Sequence, residues 1–303
     1  MVARRALLGI AGNRTVARLA TRYGMRLGAA RFVAGDTLAA AMAAVADLNR
    51  KGICATLDHL GEAVTDAAEA GATADSYLEL LDAIHRSGVD ANVSLKLTAL
   101  GLAIDPALAE ANLRRVVERA AAYGNFVRID MEDSPYTQVT IDLTERLHAE
   151  FGNVGTVIQS YLYRSLADVE ELTRLGISLR LVKGAYKEPA AIAFPQKADV
   201  DANLLKLIEY RLGSGVYTAI ATHDEAMIAA TRRVAAENQI SPDRFEFQML
   251  YGIRFGLQQQ LAQEGYKVRC YVPYGTHWYP YFVRRLAERP ANVLFILRNL
   301  FRG

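Results

Sequence analysis

Residues 217–237, YTAIATHDEAMIAATRRVAAE, contain one complete structural unit. The run 217–222 is almost continuously apolar and of strand length, Thr222-His223-Asp224 forms a polar end, and 225–237 spaces its apolar residues as a helix does. An apolar run without polar alternation is what a parallel strand covered on both faces requires. The same order recurs through the chain. Further candidate strands lie at 52–57, 92–96, 126–130, 156–159, 178–182, 245–250 and 267–272, which makes eight. Helical spacing separates them at 76–87, 106–123, 140–151, 165–175, 201–212 and 256–263, and Asp36-Thr37 offers a cap for a helix over 39–48. Eight strand-then-helix units fit a closed (β/α)8 TIM-like barrel better than an open doubly wound sheet. No G-x-G-x-x-G follows the first strand, so a dinucleotide-binding Rossmann half is not indicated.

Composition agrees with one large domain. The chain has 303 residues, about half of them apolar, enough to bury a single large core. A net charge of +2 is too small to point to nucleic acid. The two cysteines, Cys54 and Cys270, each fall in an apolar strand run and read as reduced core residues, which favours a reducing, cytoplasmic compartment. No apolar run approaches the roughly twenty residues that span a bilayer. The domain reading is a basic N-terminal segment, 1–35, followed by a barrel over 36–303. That segment carries Arg4, Arg5, Arg14, Arg18, Arg22, Arg26 and Arg31 and no acid. A transit peptide and a basic helix on an anionic membrane both have this composition. The apolar face Leu19, Tyr23, Leu27 favours helices packed on the domain.

In a barrel of this kind, functional side chains collect at the C-terminal strand ends. The ends here read Asp58 and Glu62; Lys96; Asp130 and Glu132; Gln159 and Tyr161; Arg180, Lys183 and Tyr186; Thr222, His223 and Asp224; Gln248 and Leu250; Tyr271 and Tyr274. Any one of them has an ordinary explanation: Asp58 as a helix cap, His223 as a satisfied strand-end histidine. Six of eight ends with ionisable groups is harder to dismiss, because a dry interior penalises unpaired charge. After the last strand, 269–292 (RCYVPYGTHWYPYFVRRLAERPAN) sets Arg284 and Arg285 one turn before Glu288. Two adjacent guanidiniums need carboxylates or an anionic ligand.

Metal is disfavoured, since none of the five histidines pairs with another or with cysteine at ligand spacing. Hydrolysis lacks a G-x-S-x-G elbow. A Schiff-base lyase on Lys96 or Lys183 is the stronger rival, although acidic neighbours surround both, and a non-catalytic ligand-binding barrel is a third reading. The concentration of Lys96, Arg180, Lys183, Arg284 and Arg285 asks for a phosphate-bearing cofactor together with a carboxylate substrate.

The motifs Leu57-Asp58-His-Leu-Gly61-Glu62, Ser94-Leu-Lys96-Leu-Thr-Ala-Leu-Gly101, Ile129-Asp130-Met-Glu132, Ile158-Gln159-Ser-Tyr161, Arg180-Leu-Val-Lys183-Gly-Ala-Tyr186, Ala221-Thr222-His223-Asp224 and Tyr281-Phe-Val-Arg284-Arg285-Leu-Ala-Glu288 occur in this order. As a set, over residues 36–300, they resemble the proline dehydrogenase family in its monofunctional form. The resemblance implies an FAD enzyme that oxidises L-proline to Δ1-pyrroline-5-carboxylate by hydride transfer to the flavin, with a quinone as the onward acceptor. It places the eighth helix over the barrel mouth. Lys96, Asp130, Tyr271, Arg284 and Arg285 are then the catalytic group. Lys96, Arg284 and Arg285 take the substrate carboxylate, and Tyr186, Leu250, Tyr271 and Tyr281 enclose its ring. Glu132, Gln159, Arg180, Lys183, Ala185, Thr222, His223 and Glu288 contact FAD, and Glu62 closes the site by pairing with Arg284. His277 and Trp278 read as packing residues. Lys187 stands where some relatives carry tryptophan, and 188–200 reads as an irregular connection able to act as a lid. The basic start and the apolar end, 293–301, are compatible with peripheral contact on the inner face of a membrane.

Overall fold

A computed structural model describes residues 31–61 and 64–288, with side chains to Val283. The eight strands are β1 Cys54–His59, β2 Ala91–Leu95, β3 Val127–Ile129, β4 Val154–Gln159, β5 Leu179–Val182, β6 Thr218–Ala221, β7 Phe245–Leu250 and β8 Val268–Tyr274. They pair in parallel in sequence order, and β8 closes on β1 through Cys54 opposite Arg269 to His59 opposite Tyr274. The helices are α1 Leu38–Asn49, α2 Ala67–Ser87, α3 Pro106–Ala122, α4 Thr137–Phe151, α5 Ser165–Arg174, α6 Lys197–Ser214, α7 Glu225–Glu237, α8 Phe255–Gln263 and α9 Trp278–Glu288. This is the expected (β/α)8 barrel.

Local chemistry sets the helix starts. Thr37 caps α1 by accepting from the Ala40 amide, as its sequence position suggests. Asp66, and not Asp58, caps α2, accepting from the amides of Ala68 and Glu69. α2 begins nine residues before the expected 76 because its first turns, AAEAGATADS, are too rich in small residues to show an apolar period. The N-terminal segment 1–35 lies outside the described residues up to 30. Phe32 and Val33 are buried against Leu60, Trp278, Tyr281 and Phe282, so the strip before the barrel and the start of α9 share one small core. Trp278 is thus the packing residue expected of it. No helix among the described residues is long and apolar enough to cross a membrane.

Alternation along the strands divides two environments. Leu57, Val93, Leu95, Ile129, Phe245 and Phe247 are fully buried under the helices. The residues between them, including Thr56, Ser94, Arg128, Arg180, Glu246 and Arg269, are also buried but bond to one another across the barrel. Its interior is therefore a packed polar column. Arg128 shows how tight it is: Nη1 donates to the Thr156 carbonyl at 2.9 Å and the Ser178 carbonyl at 2.6 Å. Burial, reinforced by the neighbouring Arg180 charge, lowers its pKa to about 9. Gly155 makes this position available, since a Cβ there would lie 2.3 Å from the Ser178 carbonyl oxygen and 2.7 Å from Arg128 Nη1. Gly155→Ala should therefore destabilise the fold by about 2 kcal/mol or more through overpacking. Urea denaturation followed by circular dichroism measures this, and an unchanged midpoint would contradict the packing assigned to Arg128.

Candidate active site

The C-terminal strand ends surround a cavity of about 800 Å3. Of the residues singled out in the sequence, Lys96, Asp130, Gln159, Arg180, Lys183, Ala185, Tyr186, Thr222, His223, Leu250, Tyr271 and Tyr281 all line it. Four do not enter the comparison: Glu62 lies outside the described residues, as do the side chains of Arg284, Arg285 and Glu288, although α9 carries the last three. Glu132 is not a lining residue. It is buried, and its carboxylate accepts from the Thr98 amide at 3.0 Å and the Thr98 hydroxyl at 2.5 Å, fixing the short 3-10 turn Thr98–Leu100. Gln159 joins this support by donating to the Glu132 carbonyl at 2.9 Å.

Within the site, one tyrosine links two acids. Tyr271 Oη lies 2.7 Å from Asp58 Oδ2 and 2.7 Å from Asp130 Oδ2. Lys96 Nζ lies 3.0 Å from Asp58 and 3.6 Å from Asp130, so Asp58 is the closer partner of this lysine. Tyr77 reaches Asp58 at 3.2 Å from α2. Withdrawal from water, then the charges of Asp130 and Asp58, push the Tyr271 hydroxyl pKa well above its ordinary value. Tyr271 therefore acts as a neutral donor and as a wall. The sequence reading places Asp58 among the strand-end residues, just after an expected β1 of 52–57, without a role of its own in the site. The strand runs two residues further and turns this carboxylate, 1% exposed, into the barrel.

Arg180 shares Asp130 with this cluster and is fixed at every nitrogen: Nε to Gln248 Oε1 at 2.5 Å, Nη1 to Asp130 Oδ1 at 2.6 Å, Nη2 to Ser94 Oγ at 2.8 Å. Its guanidinium also lies 5.4 Å from the Tyr271 ring centre. Lys183 sits between Asp201 at 2.6 Å and Asp224 at 2.7 Å. Both sets of ion pairs are the reverse of the desolvated or cationic setting an imine-forming lysine needs. His223 Nε2 accepts from the Leu250 amide at 3.0 Å, which leaves Nδ1 as the ring donor in the neutral tautomer. Gly184 holds φ +120°, and a Cβ there would meet the Tyr161 ring at 2.3 Å, so only glycine lets the backbone between Lys183 and Ala185 turn along the cavity.

Arg254, Lys197, Asp224 and Gln248 also line the cavity. Arg254 had no strand-end signal: it is left-handed (φ 51°) before α8, with Nη1 donating to the His223 carbonyl at 2.9 Å. The connection 188–200 is not a free lid. Glu188 accepts from the Ser134 amide and hydroxyl at 2.7 and 2.8 Å, and Phe194 donates to the Tyr161 carbonyl at 2.8 Å. α6 starts at Lys197, absorbing the end of the expected loop.

The Lys183 cluster has a pH signature. The hydrogen bond from Lys183 lowers the Asp224 pKa below its ordinary 3.8. Asp201 is lowered too: burial alone would raise it, and Lys183 with Lys197 outweighs that effect. Groups lowered in this way add stability above the unfolded carboxylate pKa, and that stability is lost as pH falls through the folded value. Lys183→Met should therefore flatten the acid limb of thermal stability between about pH 5 and pH 3. Melting of the protein without added ligand across that range tests this; parallel acid limbs for variant and parent would refute it.

The chain is similar to known proteins over nearly its whole length. The family model described as proline dehydrogenase matches residues 41–298. Proline dehydrogenase 1 of Bacillus subtilis (strain 168) is 47% identical over 299 residues, covering 99% of both chains. The proline dehydrogenase of Deinococcus radiodurans is 46% identical, covering 99% of this chain and 98% of its own. Proline utilization A from Bdellovibrio bacteriovorus, solved after inactivation by N-propargylglycine, superposes with a TM-score of 0.80 at 28% identity over 85% of this chain. This chain spans only 32% of that longer protein. With a family model matched over most of its length and near-full-length relatives at this identity, the chain belongs to the proline dehydrogenase family.

Proposed function

We propose that this enzyme, which oxidises proline as its family does, converts L-proline to Δ1-pyrroline-5-carboxylate with FAD as its resident cofactor. One observation carries the proposal: a single cavity at the strand ends lined by a fixed guanidinium, Arg180, that is joined through Asp130 to a lysine–tyrosine–carboxylate cluster. The cavity suits FAD in size and in donors. About 800 Å3 is in the upper range for an organic cofactor. Val157, Val182 and Met249 offer apolar surface for a flat ring system, while Lys183, Lys197 and Arg254 supply positive charge for phosphates. Gln159, Ala185, Thr222 and His223 are assigned to its polar edges, Glu288 is assigned with them from the sequence motif, and Glu132 is assigned as support through Gln159.

When bound, FAD supplies the two-electron acceptor for oxidation of the proline C–N bond. Arg180 presents a cation in a water-poor site, where charge that develops during the reaction is stabilised without reorganisation. Lys96, with Arg284 and Arg285 from α9, is assigned the substrate carboxylate, because paired guanidiniums set orientation as well as affinity. Tyr271, Tyr281, Tyr186 and Leu250 wall the apolar ring and exclude water. Asp58 and Asp130 hold Lys96 and Tyr271 in place, and Glu62 is assigned the closing partner of Arg284. The resemblance extends the proposal to a quinone as onward acceptor, reached by peripheral contact with the inner face of a membrane.

The purified protein should be yellow, and L-proline added without oxygen should bleach the flavin absorbance. Colourless protein that FAD cannot reconstitute would end the reading. Arg284→Met and Arg285→Met should each raise the proline concentration needed for half-bleaching about tenfold or more, the loss expected for a charged hydrogen bond, while flavin content stays near that of the parent. Proline titrations that superpose on the parent's would remove the carboxylate from these two residues.

A further inference from the structure

Beneath the cavity, β7 directs Glu246 and Gln248 into the barrel, 2% and 3% exposed. Glu246 does not line the cavity, yet donors surround it. Arg269 Nε reaches its two oxygens at 2.9 and 3.1 Å, the Tyr217 hydroxyl donates at 2.9 Å, and Gln248 Nε2 donates at 2.5 Å. All of these partners donate, so the site is built for the ionised carboxylate. Burial alone would raise the Glu246 pKa; the Arg269 charge and these hydrogen bonds outweigh burial and lower it.

The Gln248 amide is held between two groups of opposite character. Glu246 only accepts, and Arg180 Nε only donates. One of the two amide orientations satisfies both neighbours. The reverse would set the NH2 group against a guanidinium and the carbonyl against a carboxylate, leaving buried groups unpaired. The carboxylate below therefore decides which end of Gln248 meets Arg180. With Nη1 taken by Asp130 and Nη2 by Ser94, that third contact completes the fixing of the guanidinium plane.

We propose that Glu246, remote from the cavity, is a positioning residue that locks the Gln248 amide and through it the orientation of Arg180 toward the cofactor. The proposal rests on Arg180 being the cation that faces the flavin, as assigned above. Arg180, Asp130, Tyr271 and Gln248 line the cavity; Ser94, Glu246 and Arg269 hold them from below.

Glu246→Gln tests this by giving Gln248 a neighbour that can donate or accept. Because Arg269 would then lose its carboxylate, the companion variant Glu246→Gln/Arg269→Met leaves the net charge of the column unchanged, and Gln248→Leu cuts the link directly. The first measurement is the Arg180 Nε–H resonance by 15N NMR in flavin-free protein, and the second is the midpoint potential of bound FAD. All three variants should shift the resonance and lower the potential. They should also reduce kcat about tenfold with proline KM within about twofold, a smaller loss than removing an electrostatic donor outright. In an Arg180→Met background, Glu246→Gln should lower the potential no further. A parental Nε–H resonance in the folded variants overturns the positioning role. A moved resonance, combined with a parental potential in Arg180→Met itself, overturns instead the assignment of Arg180 on which the proposal rests.

Discussion

Charge inside a closed barrel must be paired, and most of the site follows from how this chain pairs it. Four cations, Lys96, Arg128, Arg180 and Arg269, face the interior against three carboxylates, Asp58, Asp130 and Glu246. Arg128 is met by carbonyls, and Arg269 is held by Glu246 at the lower end. The two cations left at the mouth share two acids and one tyrosine hydroxyl. That arrangement is closely balanced, and a substrate carboxylate or an anionic cofactor entering the cavity meets groups whose position is already settled. In a water-poor site, fixed charge of this kind lowers the energy of developing charge without the cost of reorganising solvent.

The acids set beside Lys96 and Lys183 weigh against imine formation at either lysine. Each lies within ion-pair distance of two carboxylates. The imine-forming alternative that their strand-end positions suggested needs the opposite environment. What decides between the two chemistries is thus not the lysine itself but the acids set beside it by neighbouring strands: β1 and β3 for Lys96, the starts of α6 and α7 for Lys183.

The barrel was legible because parallel strands covered on both faces leave unbroken apolar runs, and because helices recur between them. Register was not legible, and it mattered most where the site is built. Asp58 reads as lying past the end of its strand, whereas two more residues of pairing with β8 carry it into the interior. Phe245-Glu-Phe-Gln248 alternates apolar and polar in the manner of a half-exposed antiparallel strand, yet both polar residues are buried, because this barrel encloses polar groups. Glu132 carries the right residue type at a strand end but turns to Thr98. Arg254 belongs to no strand end and reaches the cavity through a left-handed backbone that no apolar pattern encodes.

The two walls of the cavity therefore rest on different supports. Arg180, Asp130, Gln159 and Gln248 stand on paired strands, where displacement would break ladder hydrogen bonds and unpair buried charge together. Tyr281 stands on α9, held by its packing with Phe32, Val33, Leu60, Trp278 and Phe282, a small cluster separate from the main core. Among the described residues, a shift at the start of α9 would disturb that cluster, whereas a shift of the strand ends would disrupt the buried column. The strand-borne groups are thus tied to the column, and Tyr281 to the small cluster at the start of α9.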